Sequence, residues 1–185
     1  MNLSRRVGTG VLVALLGIGT AVPLAYADHA LSWDLAVKYL LTTIKAFRTT
    51  YVLDVIGTAK KSGIEPKENW KQEMHAIPLP AQFVLSAGEE VALYEISLIG
   101  LSPLYEKNLP KTAAEAEALK RMQANPKERL ITFSEGKQYK GLSADFAIVQ
   151  SCADCHNVHP KAVKKDFQKG DLMGALVVRL NMEKH

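Results

Sequence analysis

The chain has 185 residues, of which 48% are hydrophobic and 23% are charged, and its formal net charge is +4. This length and composition predict one globular domain with a sizeable core. The basic balance does not indicate a nucleic-acid-binding protein, because no basic cluster is interleaved with aromatic residues.

The N-terminal stretch has the pattern of a secretory signal peptide. Arg5 and Arg6 precede an uncharged apolar run, residues 7–22, and a small-x-small cleavage signal ends at Ala27. We therefore expect residues 1–27 to be removed after export to the periplasm by the general secretion route. An uncleaved signal that anchors the protein to a membrane is the alternative. Cleavage would leave 21 basic and 19 acidic residues, so the mature charge would be near +2.

A long amphipathic helix is predicted within residues 28–64. Ser32 is its predicted N-cap and Gly63 its predicted stop. One face repeats at helical spacing and contains Trp33, Val37, Leu40, Ile44, Phe47, Tyr51 and Val55. A second apolar flank contains Leu41, Val52 and Ile56. We expect one flank to pack on its own domain and the other on a second copy, which would give a homodimer.

The predicted connection over residues 65–80 carries Met74 and His75. Pro78 and Pro80 stand two residues apart, which forbids a helix and favours extended backbone. A short helix is predicted to follow over residues 81–90.

The remainder combines predicted strands with one further helix. Thr112 and Glu115 form a capping box, which predicts a surface helix ending near Pro126. Short strands are predicted over residues 92–101, 129–134, 138–142, 145–150 and 174–181. This order is typical of an α+β fold with one antiparallel sheet.

The most informative stretch is Cys152-Ala153-Asp154-Cys155-His156. The C-x-x-C-H spacing is typical of covalent attachment of one c-type haem, because two thiols three residues apart reach the two vinyl groups along one haem edge. His156 can then bind the iron as the proximal ligand. A thioredoxin-like redox pair normally lies near the front of a βαβ unit, and a zinc site would need two further ligands at matching spacing. Haem is therefore the predicted cofactor.

Several other stretches resemble a bacterial family of single-haem c-type domains with a PAS-like fold. The matching segments are residues 77–81, 125–128, 145–146 and 170–175, together with the motif and the long first helix. The family occurs free-standing, including in cyanobacteria, and as the extracytoplasmic part of histidine kinases and chemotaxis receptors. The resemblance implies a five-stranded antiparallel sheet, a long N-terminal helix and haem held against the sheet. The PAS-like haem domain would occupy residues 65–185 and form one domain with the helix.

The second axial ligand of the iron is not fixed by the motif. Some members of the similar family use a cysteine or methionine from the N-terminal half, and this chain has no third cysteine. His29 and His185 lie near the mature termini, where chains are mobile. His159 is three residues from His156, too near in sequence to reach across the porphyrin, and is expected to be solvated or to lie near a propionate.

Met74 and His75 are the remaining candidates, because neighbouring residues on an extended chain point in opposite directions. We predict His75 as the distal ligand and Met74 as the alternative; a buried methionine beside a surface histidine stays open. Lys137, Lys140 and Arg179 are considered as partners of the haem propionates, with ordinary surface charge as the other interpretation.

The predicted function is that of a periplasmic monohaem c-type cytochrome that transfers electrons to partner proteins or senses redox state. A haem-based sensor of small gases that signals through a separate protein is the alternative. A peroxidase-type enzyme is the least favoured, because the sequence identifies no placed acid–base residue.

Overall fold

The computed structural model describes residues 32–183; the predicted signal peptide, His29 and His185 lie outside this range. The helices are α1 (Trp33–Thr50), which continues through a π-helical segment (Tyr51–Ile56) into α2 (Gly57–Lys61), then α3 (Pro80–Glu89), α4 (Ala113–Ala124) and α5 (Gln150–Val158). The strands are β1 (Glu65–Lys67), β2 (Ala76–Pro78), β3 (Tyr94–Ile99), β4 (Leu130–Glu135), β5 (Gln138–Phe146) and β6 (Leu172–Asn181). None of the helices in this range is both long enough and apolar enough to span a bilayer.

The main sheet is antiparallel, with its strands in the order β3-β6-β5-β4. The short strands β1 and β2 pair in parallel as a separate unit. The α+β class is therefore confirmed, but within residues 32–183 the antiparallel sheet has four strands, not five. Residues 145–150 do not form a strand of their own. Residues 145 and 146 instead end β5, where Asp145 pairs with Gly174 and, after a register shift, Phe146 pairs with Leu172.

Helices cover both faces of this sheet. Alternate residues of a strand point to opposite faces, so Val177 packs under α4 while Val178 packs under α1 and α3. Leu119 and Met122 of α4 fill the first layer, and Leu41 of α1 fills the second. This explains why β6 is apolar at nearly every position.

Helix α1 lies along β5, and one face of the strand contacts successive turns of the helix. Gly141 allows the close approach, because a Cβ atom there would overlap side-chain carbons of Val37 and Leu41. The polar contacts along the same line are Asp34 with Tyr139 at 3.4 Å, Lys45 with Ser143 at 3.4 Å and Arg48 with Asp145 at 2.6 Å. The line ends at Asp145, five residues before α5 begins.

Gly141→Ala is expected to destabilise the fold by about 1–3 kcal/mol, because the added methyl must push α1 away from β5. Gly57→Ala is the matched control. Gly57 has a helical φ of −58° and open space around it, so alanine there should stabilise by about 0.4–1 kcal/mol. Urea unfolding of the two variants should give changes of opposite sign; equal changes would contradict the packing argument.

The predicted helix ends are confirmed. The Ser32 side chain accepts a hydrogen bond from the backbone N–H of Leu35 at 3.2 Å, and Gly63 follows the helix with a φ of +73°. Of the first predicted face, Val37 and Tyr51 are buried, whereas Phe47 and Val55 are 64% and 46% exposed.

The π-helical segment bears on the exposure of Val55 but not on that of Phe47, which precedes it. A π turn holds more residues than an α turn, so it rotates the side chains that follow it. Val52 and Ile56, predicted on the second flank, are buried instead. The exposed residues Leu35, Tyr39, Phe47, Leu53 and Val55 leave an apolar surface on the helix, and the homodimer stays a prediction.

Candidate functional site

Helix α5 carries the C-x-x-C-H motif and presents its three reactive side chains together. Cys152, Cys155 and His156 stand at positions i, i+3 and i+4, which share one helical face. Both thiols are free; Cys152 is half-buried and Cys155 is exposed. Ala153 is fully buried against Ala147 and Phe167, and Cys152 packs against the same cluster.

A loop after α5 is clamped to the helix. The Asn157 side chain donates a hydrogen bond to the Phe167 carbonyl at 2.8 Å and accepts one from the Phe167 N–H at 2.9 Å. The Phe167 ring then meets the His156 ring edge to face, with centroids 6.0 Å apart. This packing restrains the orientation of the imidazole.

The electrostatic environment favours a neutral His156 and a protonated Cys155. Burial lowers the pKa of His156; Asp145 opposes this, and His159 and Arg48 lower the pKa further. A neutral imidazole is the form that binds a metal. Burial raises the pKa of Cys155, and Glu68 and Cys152 raise it further. A reactive redox-pair cysteine needs a lowered pKa instead, so this site does not favour thioredoxin-like chemistry.

A second group of side chains borders the motif. Glu68 accepts a hydrogen bond from the Tyr105 hydroxyl, and the Nε2 of His159 lies 3.5 Å from the Glu68 carboxylate. Hydrogen bonding to Glu68 raises the pKa of Tyr105 to about 12. The Nζ of Lys161 lies 4.2 Å from the centre of the Tyr105 ring. The predicted solvated loop histidine is therefore a partner in a polar cluster, with its side chain 16% exposed.

Met74 and His75 lie on a turn that leads into β2. The Lys67–Glu73 ion pair and a hydrogen bond from Asn69 to Glu73 close this turn. The side chain of Met74 is 86% exposed, and His75 is exposed with a φ of +59°. The expected extended backbone at these two residues is wrong, because they lie in the turn between β1 and β2 and the extended backbone resumes at Ala76. Their assignment as distal ligands stays a prediction.

The basic residues considered for the propionates lie elsewhere. Lys140 and Arg179 are 3% and 2% exposed, on the face of the sheet under α4, where both pair with Glu115. Surface charge is therefore the wrong interpretation for these two. Lys137 is exposed and pairs with Glu183 at 2.9 Å.

Arg48 is a site residue that the sequence analysis missed. Its guanidinium reaches Asp145 from α1, and both side chains are mostly buried. Arg48 falls within an amphipathic helix pattern, where a basic residue carries no signal of its own. The only signal was at Asp145, which belongs to one of the segments that resemble the haem family.

Comparison with known proteins identifies the family. A family model described as Tll0287-like: Tll0287 matches residues 35–181. The crystal structure of the cyanobacterial heme-protein Tll0287 is similar, with a TM-score of 0.55 and 18% sequence identity, over 78% of this chain and 93% of that chain. No curated protein matches the chain. Because the family match spans most of the chain, this protein belongs to the Tll0287-like family.

Proposed function

We propose that this protein binds one haem covalently and works as a periplasmic c-type cytochrome. The observation that carries the proposal is the face of α5 on which two free thiols adjoin one neutral imidazole. The donor set fits a haem, since iron accepts a neutral histidine and each vinyl group needs one thiol. The likeness to a heme-protein of the same family supports the same conclusion.

The side chains would act as follows. Each thiol, Cys152 and Cys155, adds across one vinyl group: an S–C bond forms and the thiol hydrogen goes to the other vinyl carbon, so no oxidant is consumed. His156 holds the iron, and its packing against Phe167 keeps the ring oriented. When bound, the group supplies a one-electron couple between ferric and ferrous iron. Electron exchange with a partner protein, or redox sensing, is the function that we infer from this chemistry. The secretion pattern in residues 1–27 supports a periplasmic location.

The test is expression with the bacterial c-haem maturation machinery, followed by a haem stain on a denaturing gel. The wild-type band should stain, because thioether bonds survive denaturation. Cys152→Ala and Cys155→Ala should each lose most of the stain, since each thiol anchors a separate vinyl group. Asp154→Asn is the matched control: its exposed side chain lies between the two cysteines and only contacts Gln150. A wild-type band without stain would overturn the proposal.

Sensing of small gases is the second candidate, and one observation favours it. Both predicted distal residues, Met74 and His75, are exposed on their turn. An iron with only His156 bound would leave its sixth position open to a gas. Signalling would then pass through a separate protein.

A further inference from the structure

The end of β5 holds a buried cationic side chain with an unused hydrogen-bond donor. Arg48 donates from Nη1 to Asp145 at 2.6 Å, and its side chain is 14% exposed. Its Nε is buried without a hydrogen-bond partner, alone among the buried side-chain polar atoms of residues 32–183. Native proteins rarely leave such a donor unpaired, so an acceptor is expected here.

Positive charge exceeds negative charge around this donor. Two further cations lie near the ring of Phe146, with the Nζ of Lys45 6.0 Å and the guanidinium carbon of Arg129 5.2 Å from its centre. Lys45 also donates to the Ala144 carbonyl at 2.8 Å. Burial lowers the pKa of Lys45, and of the charges that act on it only Asp145 is negative. The group of Lys45, Arg48, Arg129 and Asp145, called here the basic cluster, has a formal net charge of +2 when all four side chains are ionised. Burial raises the pKa of Asp145, and Arg48 and Lys45 oppose that shift.

The basic cluster lies on the His156 side of the motif. Ala147, two residues after Asp145, packs with Ala153 and Phe167, and the Phe167 ring contacts the His156 ring. The acidic Glu68 acts instead on the pKa of Cys155. The motif thus has a negative neighbour near one thiol and a positive cluster near the imidazole. A haem anchored through its vinyl edge carries its two propionates on another edge of the ring.

We propose that the basic cluster binds the haem propionates, with the Nε of Arg48 donating a hydrogen bond to one carboxylate. Two propionates carry a charge of −2, which balances the cluster, and a guanidinium forms its strongest hydrogen bonds with carboxylates. This role replaces the one considered for Lys137, Lys140 and Arg179. The inference rests on the proposed haem function and adds the residues that orient the group.

The test compares variants of the haem-loaded protein by redox titration and resonance Raman spectroscopy. Arg48→Gln should shift the ratio of ferric to ferrous protein at a fixed potential about tenfold toward ferric, because a charge-assisted hydrogen bond to the haem is lost. For a one-electron couple this equals about 59 mV. The propionate bending mode should move as well. Arg48→Lys should have a reduction potential close to that of the wild type, because the charge is kept. Its propionate Raman mode should differ from the wild-type mode, because lysine lacks the Nε.

Two controls keep the outcomes separate. Arg121→Gln removes an arginine that is 53% exposed and paired with Glu128 on the surface, and it should change neither measurement. Arg129→Gln alters an exposed member of the cluster, so it should fold and shift the potential in the same direction as Arg48→Gln.

Three results would overturn the propionate site. The first is an Arg48→Gln protein with the same potential and the same Raman spectrum as Arg121→Gln. The second is a shift of the potential in Arg48→Gln without a change in the propionate mode. The third result is a reduction potential of the wild-type protein that changes with the concentration of added acetate. In that case the Nε of Arg48 would bind a free anion and not a propionate. A wild-type protein that carries no covalent haem would overturn the proposed function together with this inference, whereas the other results would overturn this inference alone.

Discussion

Glu115→Gln is expected to destabilise the fold by about 3–5 kcal/mol at neutral pH, because it breaks the buried ion pairs of Glu115 with Arg179 and with Lys140. The carboxylate of Glu115 is fully buried and accepts hydrogen bonds from Arg179 at 2.7 and 2.8 Å and from Lys140 at 3.0 Å. Glutamine removes the negative charge and leaves two buried cations short of a counter-charge. Urea unfolding measures the loss.

The pH dependence of this effect follows from the pKa of Glu115. Burial by itself raises that pKa, but hydrogen bonds from Arg179, Lys140 and the Lys111 N–H outweigh burial and hold it at about 2, below the ordinary 4.5. A carboxyl with a lowered pKa stabilises the fold above its unfolded pKa and loses this contribution as the pH falls. The difference in unfolding free energy between the wild type and Glu115→Gln should therefore shrink between pH 4.5 and pH 2.

Glu117→Gln is the matched control, since Glu117 is exposed on the same helix. It should change the unfolding free energy by less than about 0.5 kcal/mol at neutral pH. A loss for Glu115→Gln no larger than this would show that Arg179 and Lys140 find enough compensation in Glu95 and Glu135.

The sequence predicts the start of α1 and its first buried residues. Ser32 supplies a capping hydroxyl, and Val37 repeats at helical spacing, so both the start and the first buried face are local properties. The π segment rotates the helix face, and its position depends on what the helix packs against. Tyr51 stacks on Phe83 with ring centroids 4.3 Å apart and donates to the Pro78 carbonyl at 2.7 Å. These partners lie about 30 residues away in the chain, so no local pattern reports them.

For the site as well, the sequence predicts the residues placed by local structure but not those that come from distant segments. The positions of Cys152, Cys155 and His156 on one face follow from their spacing on a helix. Glu68 and Arg48 reach the motif from segments about 90 and 110 residues earlier, and neither has a sequence signal. Asp145 could have been found, because a carboxylate at the end of a buried strand requires a counter-charge.

The buried charges under α4 were missed for a physical reason. Charged residues on strands are usually exposed, so Lys140 and Arg179 were assigned to the surface. The sequence did contain a contrary signal, since Arg179 interrupts an apolar run on a strand that is buried on both faces. A capping-box glutamate at position 115 supplied the partner, but only the register of α4 over the sheet brings the two together.

The last expected result concerns the iron ligands: His75→Ala should convert a low-spin ferric spectrum to a high-spin one and open the iron to carbon monoxide. Histidine on both sides of the iron gives a low-spin state, and an internal ligand resists displacement because its effective concentration is high. The turn of His75 starts beside Glu68, which borders Cys155 and His159. His75 has a positive φ of +59°, which is uncommon for a residue other than glycine.

Met74→Ala is the matched control for this experiment, because Met74 is the adjacent residue and is 86% exposed. It should leave the spectrum low-spin, without the charge-transfer band of a methionine bound to ferric iron in the wild type. A high-spin spectrum in Met74→Ala alone would make methionine the ligand and raise the expected potential, since His/Met ligation has a higher potential than His/His. A wild-type protein that is already high-spin and binds carbon monoxide would contradict both assignments. The exposed turn would then leave the sixth position open, and gas sensing would replace electron transfer as the favoured function.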